Sequence, residues 1–241
     1  MQNPNSSPYR NNLLIRMNPE DLARIAPHLQ FLDLPRSLAL AEPGKAGDFT
    51  YFPESGIGSV VVPSTTEPEA EIGLFGREGL TPAAGVSGVL SSPYHVFMQV
   101  PGAGHRIENV RLQAAMAESV TLRNLLTRYL HSASIQVAYT AFSNATQHIE
   151  ARLARWLLMC HDRSEGDDIE LTHEFIGIML AVRRQSVTTT IHILEGKRLI
   201  TASRASITIR DRAGLKMLAG DAYGIPERDY EANVGGLVTK E

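Results

Sequence analysis

From Arg183 to His192 the chain reads Arg-Arg-Gln-Ser-Val-Thr-Thr-Thr-Ile-His. These side chains can read the edges of nucleic-acid bases. An arginine can donate two hydrogen bonds to guanine O6 and N7, and a glutamine can pair with adenine N6 and N7. The hydroxyls of Ser186, Thr188 and Thr189 can meet phosphates or thymine methyl groups. A helix spanning Arg184 to about Glu195 would place Val187, Ile191 and Leu194 in one narrow inward arc. Gln185, Thr188, Thr189 and His192 then fall on the opposite side. Arg184 lies nearer the flank, at the helix start, where a long side chain still reaches outward.

This run needs elements to hold it. Phe175, Ile176, Met179 and Leu180 predict a preceding helix with an inward stripe, for which Thr172 can serve as N-cap and Glu174 favours the first turn. Ala181-Val182-Arg183 has the length of the turn in a helix-turn-helix. Leu199 to Ile209 alternates apolar and polar residues around Ser203-Arg204-Ala205-Ser206, which predicts a hairpin, or wing. Charge is segregated to match. Between Ala181 and Met217 stand eight cations (Arg183, Arg184, Lys197, Arg198, Arg204, Arg210, Arg212, Lys216) against Glu195 and Asp211. The whole chain carries a formal net charge of −3. A basic patch within a near-neutral chain suits a modest DNA-binding module.

Upstream, Asn18-Pro19 starts a short helix, with Asn18 as N-cap and Pro19 at the first helical position. Residues 31–112 hold most of the glycines and prolines. Four runs there have strand composition: Phe49–Phe52, Gly58–Val62, Ala70–Phe75 and Val96–Val100. Recurrent turn signals between them predict a small β-sandwich or barrel. From Asn109 to His161 there is neither Gly nor Pro. Leu122, Leu125, Leu126, Tyr129, Leu130, Ala133, Val137 and Ala141 recur at helical spacing, so this is a long amphipathic helix. Its stripe suits a two-fold interface or a cover for the β-region. A break is expected around Ser143-Asn144. The next helix carries Ile149, Leu153, Trp156, Leu157 and Cys160, and ends at the polar cluster from Arg163 to Asp168, a spacer before the basic module.

With these elements in place, the sequence resembles the Crp/Fnr family of bacterial transcription regulators. The resemblance is carried by Leu180 to Glu195, Leu199-Ile200, Ile207 to Asp211, Ile149 to Leu158 and, more weakly, Glu71 to Gly79. It implies an α+β chain in three parts: a cyclic-nucleotide-binding-like β-roll (13–112), a long dimerisation helix (113–146) and a winged helix-turn-helix (147–218). Beyond them, an excess of acids with Gly and Asn predicts a flexible acidic tail (219–241). The resemblance also implies a homodimer on an inverted-repeat operator, with DNA, RNA polymerase and an unidentified effector as partners. Arg184, Gln185 and Thr189 would face base edges, and Ser186 would sit near the backbone. The full set expected at DNA is Thr172, Arg183, Arg184, Gln185, Ser186, Thr188, Thr189, His192 and Arg204. Two positions depart from the family pattern. Thr189 stands where the family has an arginine, and Arg183 replaces a capping serine with a phosphate-seeking cation.

The sensor half departs further. The family's cyclic-nucleotide binders pair a Gly-Glu turn with an Arg-Ser/Thr-Ala run that clamps the cyclic phosphate. Here Gly76-Arg-Glu-Gly79 is followed by Ser92-Pro-Tyr-His-Val-Phe-Met98, without arginine. A buried cyclic phosphate would lack its bidentate partner, so cAMP is not expected and Glu78 reads as a turn residue bonded to backbone amides. Arg77 is the one alternative clamp.

No cofactor or metal is expected. One cysteine, Cys160, is too few for an iron–sulfur cluster or a four-cysteine zinc site. His28, His95 and His105 are isolated as haem ligands. His173-Glu174 is followed by Gly177 where the metalloprotease spacing needs histidine. A cupin-type enzyme would need paired His ligands between Phe31 and Leu112, and His-x-His does not occur there. A lone thiol, no apolar leader and no long apolar run predict a cytoplasmic protein. The alternative to an operator-reading regulator is a ligand- or protein-binding module whose winged helix binds DNA only non-specifically.

Overall fold

The computed structural model describes residues 8–66, 69–171, 173–203 and 205–236, without the side chains of His173 and Glu174. Two short helices open it, α1 (Asn12–Arg16) and α2 (Pro19–Ile25). Asn18 caps α2 as its sequence predicts, its side chain accepting from Asp21 N at 2.8 Å. Then come β1 (Gln30–Leu34), β2 (Ala39–Ala41), β3 (Phe49–Pro53), β4 (Ile57–Val62), β5 (Ala70–Phe75), α3 (Ala84–Ser87), β6 (His95–Val100) and β7 (Gly102–Glu108). They form two antiparallel sheets, ordered β1-β7-β3 and β2-β6-β4-β5. Leu34, Leu40, Phe75, Val96 and Met98 pack as a buried cluster in this roll.

All four expected strands are present, and three more join them. The central strand β7 was hidden by its sequence, Gly-Ala-Gly-His-Arg-Ile-Glu. Its glycines are needed for close approach: a Cβ on Gly102 would lie 2.1 Å from Ser55 O, and one on Gly104 would lie 2.5 Å from Phe52 O.

The helical half holds α4 (Asn109–Glu118), α5 (Val120–Thr146) and α6 (Ile149–His161). The long helix therefore starts at Val120, later than the expected bound at residue 113. Ser119 adopts an extended conformation (φ −123°, ψ 116°) and accepts from Leu122 N, capping α5. A serine hydroxyl that satisfies a first-turn amide favours a helix start over a helix interior, and Asp21 on α2 binds the same hydroxyl. The second break falls at Gln147-His148 rather than at Ser143-Asn144. Ser143 stays helical and its hydroxyl donates to Gln147 at 2.6 Å.

The last part is β8 (Asp168–Glu170), α7 (His173–Leu180), α8 (Arg184–Gly196), β9 (Ile200–Ala202), β10 (Ser206–Ile209), α9 (Arg212–Ala219) and α10 (Ile225–Asn233). The strands make a third sheet, β8-β10-β9. α10 corrects the expectation of a flexible acidic tail from residue 219. Ala222, Pro226, Tyr230 and Val234 recur every four residues and are buried. Tyr230 Oη donates to Glu78 O at 2.5 Å, and Ser132 Oγ on α5 donates to Asp229 Oδ2 at 2.7 Å. A surplus of surface acids concealed an apolar stripe one helical turn apart. Residues 237–241 lie outside the described set.

The polar cluster after α6 separates it from β8, but its first residue is buried. Arg163 and Glu78 are each 4% exposed and pair through Arg163 Nε and Glu78 Oε1 at 2.7 Å, joining the end of α6 to the turn after β5. Beside them the Trp156 indole N–H donates to Glu71 Oε1 at 2.8 Å. Glu71 Oε2 is buried with no hydrogen-bond partner among the described residues. Burial pushes the Glu71 carboxyl from the ordinary 4.5 up to about 8, against the pull of the nearby Ser59 hydroxyl, the indole N–H and the Arg155 and Arg163 guanidiniums. Between those two values the folded protein keeps a proton that the unfolded chain has released. Stability should therefore fall as pH rises through this window. Glu71→Gln should flatten that dependence and raise stability at pH 8, because a neutral amide has no charge to desolvate. Urea unfolding of both proteins from pH 5 to pH 8.5 checks this, and parallel curves would contradict it.

Candidate nucleic-acid interface

The interface is built on α7, the turn and α8. α7 stops at a Schellman motif, in which Val182 N donates to Gly177 O at 3.0 Å and Ala181 N to Ile178 O at 3.1 Å. This geometry needs a left-handed residue, and Ala181 supplies it with φ 50°. An alanine there carries a steric penalty that glycine does not. Ala181→Gly should raise stability by about 1 kcal/mol with the fold unchanged, read as a higher thermal midpoint. A lower midpoint would contradict this account of the turn.

α8 begins at Arg183, which is extended (φ −66°, ψ 146°) and makes no side-chain cap. The loss of the cap expected from the missing serine is therefore visible. The first amides of α8 have no side-chain acceptor, which suits a phosphate at the helix N-terminus. Val187, Ile191 and Leu194 are buried in the core shared with α6 and α7, as their spacing predicts. Thr190 is also buried and donates to Ser186 O at 2.8 Å. Arg183, Arg184, Gln185, Ser186, Thr189 and His192 are exposed, and Thr188 is half-buried. The Thr188 and Thr189 hydroxyls donate to Arg184 O at 3.2 Å and Gln185 O at 3.1 Å. Their methyl groups are then the more available recognition surface.

α8 ends at a second Schellman motif, with Leu199 N on Leu194 O at 3.0 Å and Arg198 left-handed at φ 60°. The wing follows as expected, with Ile207 opposite Ala202 and Ile209 opposite Ile200. β8, unforeseen in the sequence, adds a third strand, with Ile169 opposite Ile207. Glu195 Oε1 accepts from Ala202 N at 2.8 Å, tying helix to wing, while its Oε2 sits 3.3 Å from His192 Nδ1. Thus seven of the nine candidate DNA residues lie on α8 or at its N-cap, and each is exposed or half-buried. The other two, Thr172 and Arg204, lie outside the described residues.

Sequence reasoning missed the polar joint behind this surface. Glu71, Glu78 and Arg163 are buried, and Met179 of α7 lies 3.7 Å from Ser59 Oγ on β4. The rings of Phe175 and Phe97 are 6.4 Å apart. The available signal was Glu71, an isolated acid within an apolar strand. Glu78 accepts from Gly76 N at 3.2 Å, as a turn residue should, and also from Arg163. Cys160 is fully buried, and burial pushes its thiol up, away from the thiolate that metal or redox chemistry needs. Among the described residues no helix is long and apolar enough to cross a membrane.

Residues 151–218 match the sequence profile of the Crp-like helix-turn-helix domain. No curated protein matches the chain. Solved structures do. FixK2 from Bradyrhizobium japonicum aligns with a TM-score of 0.70 at 13% identity, covering 80% of this chain and 98% of that one. A CRP-family transcriptional regulator from Thermus thermophilus aligns at 0.67 and 20% identity, with coverage of 80% and 98%. A CRP/FNR-family regulator from the same organism aligns at 0.62 and 18%, with coverage of 79% and 98%. Residues 151–218 are thus a Crp-like helix-turn-helix domain, carried by a chain with the α+β fold of Crp/Fnr-family transcriptional regulators.

Proposed function

We propose that this protein is a DNA-binding transcription regulator, not an enzyme, that works as a homodimer on an inverted-repeat operator. The observation that carries the reading is the outer face of α8. Arg184, Gln185, Thr189 and His192 are exposed together above a buried Val187-Ile191-Leu194 stripe, next to an uncapped helix N-terminus. Arg184 and Gln185 read base edges, Ser186 sits near the backbone, and Arg183 holds phosphate. Arg204 and Thr172, which lie outside the described residues, complete the proposed contact set. α5 leaves Val120, Val137 and Phe142 exposed (60%, 37% and 46%), an apolar surface suited to a two-fold helix pair. The parts proposed are residues 13–112 as sensor, 113–146 as dimer helix and 147–218 as DNA-binding domain. RNA polymerase is the downstream partner that this reading implies.

Regulation by cAMP is not part of the proposal. Neither Arg77 nor Glu78 lines the cavity between the roll and α5, and Glu78 is already paired with Arg163. The test is selection of sites from a random DNA pool by the full-length protein without added nucleotide. An enriched inverted repeat with half-sites about 34 Å apart supports the reading. Salt-dependent but sequence-blind binding would favour a module with non-specific DNA affinity instead.

A further inference from the structure

An apolar hollow lies between the roll and the long helix. It has a volume of about 470 Å³, within the roughly 300–1,000 Å³ typical of small-molecule sites. One wall is sheet and turn, including Val60, Leu74 and Ala84. The other is α5, through Tyr129, Leu130, Ala133 and Val137. Among the described residues, no Arg, Lys, His, Asp or Glu lines the hollow. An ion placed there would lose its hydration with no counter-charge in return.

We propose that this cavity binds an uncharged, mainly apolar small molecule carrying a hydrogen-bond acceptor. The acceptor is matched by Gln136. Its Oε1 accepts from Leu74 N at 2.8 Å, which orients the amide and leaves Nε2 as a donor with no partner among the described residues. Three other polar groups on the wall are committed: Tyr129 Oη donates to Leu80 O, Ser134 Oγ to His131 O, and Ser87 Oγ to Ala83 O. Beside the cavity, Val89, Leu90 and Tyr94 are 54%, 82% and 37% exposed. They form an apolar rim of the kind that marks a binding mouth. The occupant would touch α5 over more than two turns, so its binding is coupled to the helix assigned to the dimer. What the ligand controls rests on the regulator reading above, whereas whether it binds does not.

The test uses two dyes with one ring system, titrated into the full-length protein without DNA. N-phenyl-1-naphthylamine is neutral, and 1-anilinonaphthalene-8-sulfonate is the same skeleton with an anionic group. The neutral dye should bind saturably at one per chain, and the anionic dye about tenfold more weakly, a difference of roughly 1.4 kcal/mol. Ala133→Phe and Ala84→Phe fill the cavity from opposite walls, and each should weaken the neutral dye by about tenfold or more. cAMP should not displace it. Equal affinity for both dyes, displacement by cAMP, undiminished binding in both filled variants, or no saturable binding would each overturn the proposal. Should a filled variant not fold, the contrast between the two dyes on the native protein still decides. Because no DNA is present, failure here is distinct from failure of the operator reading.

Discussion

Replacing Arg163 by alanine should destabilise the protein by about 3–5 kcal/mol, the largest effect expected of any single substitution described here. Arg163 and Glu78 are each 4% exposed. Nε of Arg163 donates to Glu78, and its Nη1 donates to Met159 O at 2.8 Å. Truncation strands the Glu78 carboxylate in a site walled by Leu74, Tyr129 and Tyr230, where hydration is not replaced. The pair as a whole need not be worth that much. Two buried charges lose solvation that their attraction only partly returns, so Arg163→Met with Glu78→Leu should cost much less than either single change. Urea unfolding at pH 7 of the two single variants and the double variant forms the cycle. A cost below about 1 kcal/mol for Arg163→Ala would show that the pair is hydrated and the packing described here is wrong. Since the pair joins the roll to the end of α6, the native chain should unfold in one transition. Losing the pair should broaden that transition or split it.

The second large effect concerns recognition. On a site recovered by selection, Arg184→Ala and Gln185→Ala should each weaken binding by about 1–3 kcal/mol and relax preference at one base position. Arg183→Ala should behave differently. Its exposed guanidinium at the uncapped start of α8 suits phosphate, so its loss should weaken specific and scrambled DNA alike. The slope of log K against log salt should then fall in magnitude by about 1. Fluorescence anisotropy over a salt series, on both DNAs, separates the two behaviours. Unchanged discrimination in Arg184→Ala and Gln185→Ala would remove α8 as the reading helix. Thr189 gives a subtler contrast. Its hydroxyl is turned back to Gln185 O, so Thr189→Val should alter binding less than either of those changes.

Helix α8 was legible because its evidence is local. Val187, Ile191 and Leu194 mark an inward arc by spacing alone, and the polar residues between them are thereby placed outside. The same holds for Asn18-Pro19, the turn at Ala181 and the strands at residues 49–53, 57–62, 70–75 and 95–100. Each is specified within a few residues by propensity, capping or alternation. β7 was not legible because its glycines answer to the backbones of Ser55 and Phe52 rather than to their own neighbours. The tail was misread because acidic composition averages over the faces of α10. The stripe Ala222-Pro226-Tyr230-Val234 acquires meaning only once α5 and the turn carrying Glu78 lie beneath it.

From the sequence alone came the order of the parts, the polarity of α8 and the lack of arginine between Ser92 and Met98. All of these follow from residue type and spacing along a single segment. Tertiary structure decided which charges are buried. Glu71 meets Trp156, and Glu78 meets Arg163, in both cases across 85 residues of chain. No local pattern encodes such a partner, because what makes each carboxylate structural is loss of water, and that happens only when distant segments close over it. The neutral cavity against α5 has the same origin. Its lining comes from strands, turns and a helix that are separate in sequence, and its lack of charge belongs to their assembly.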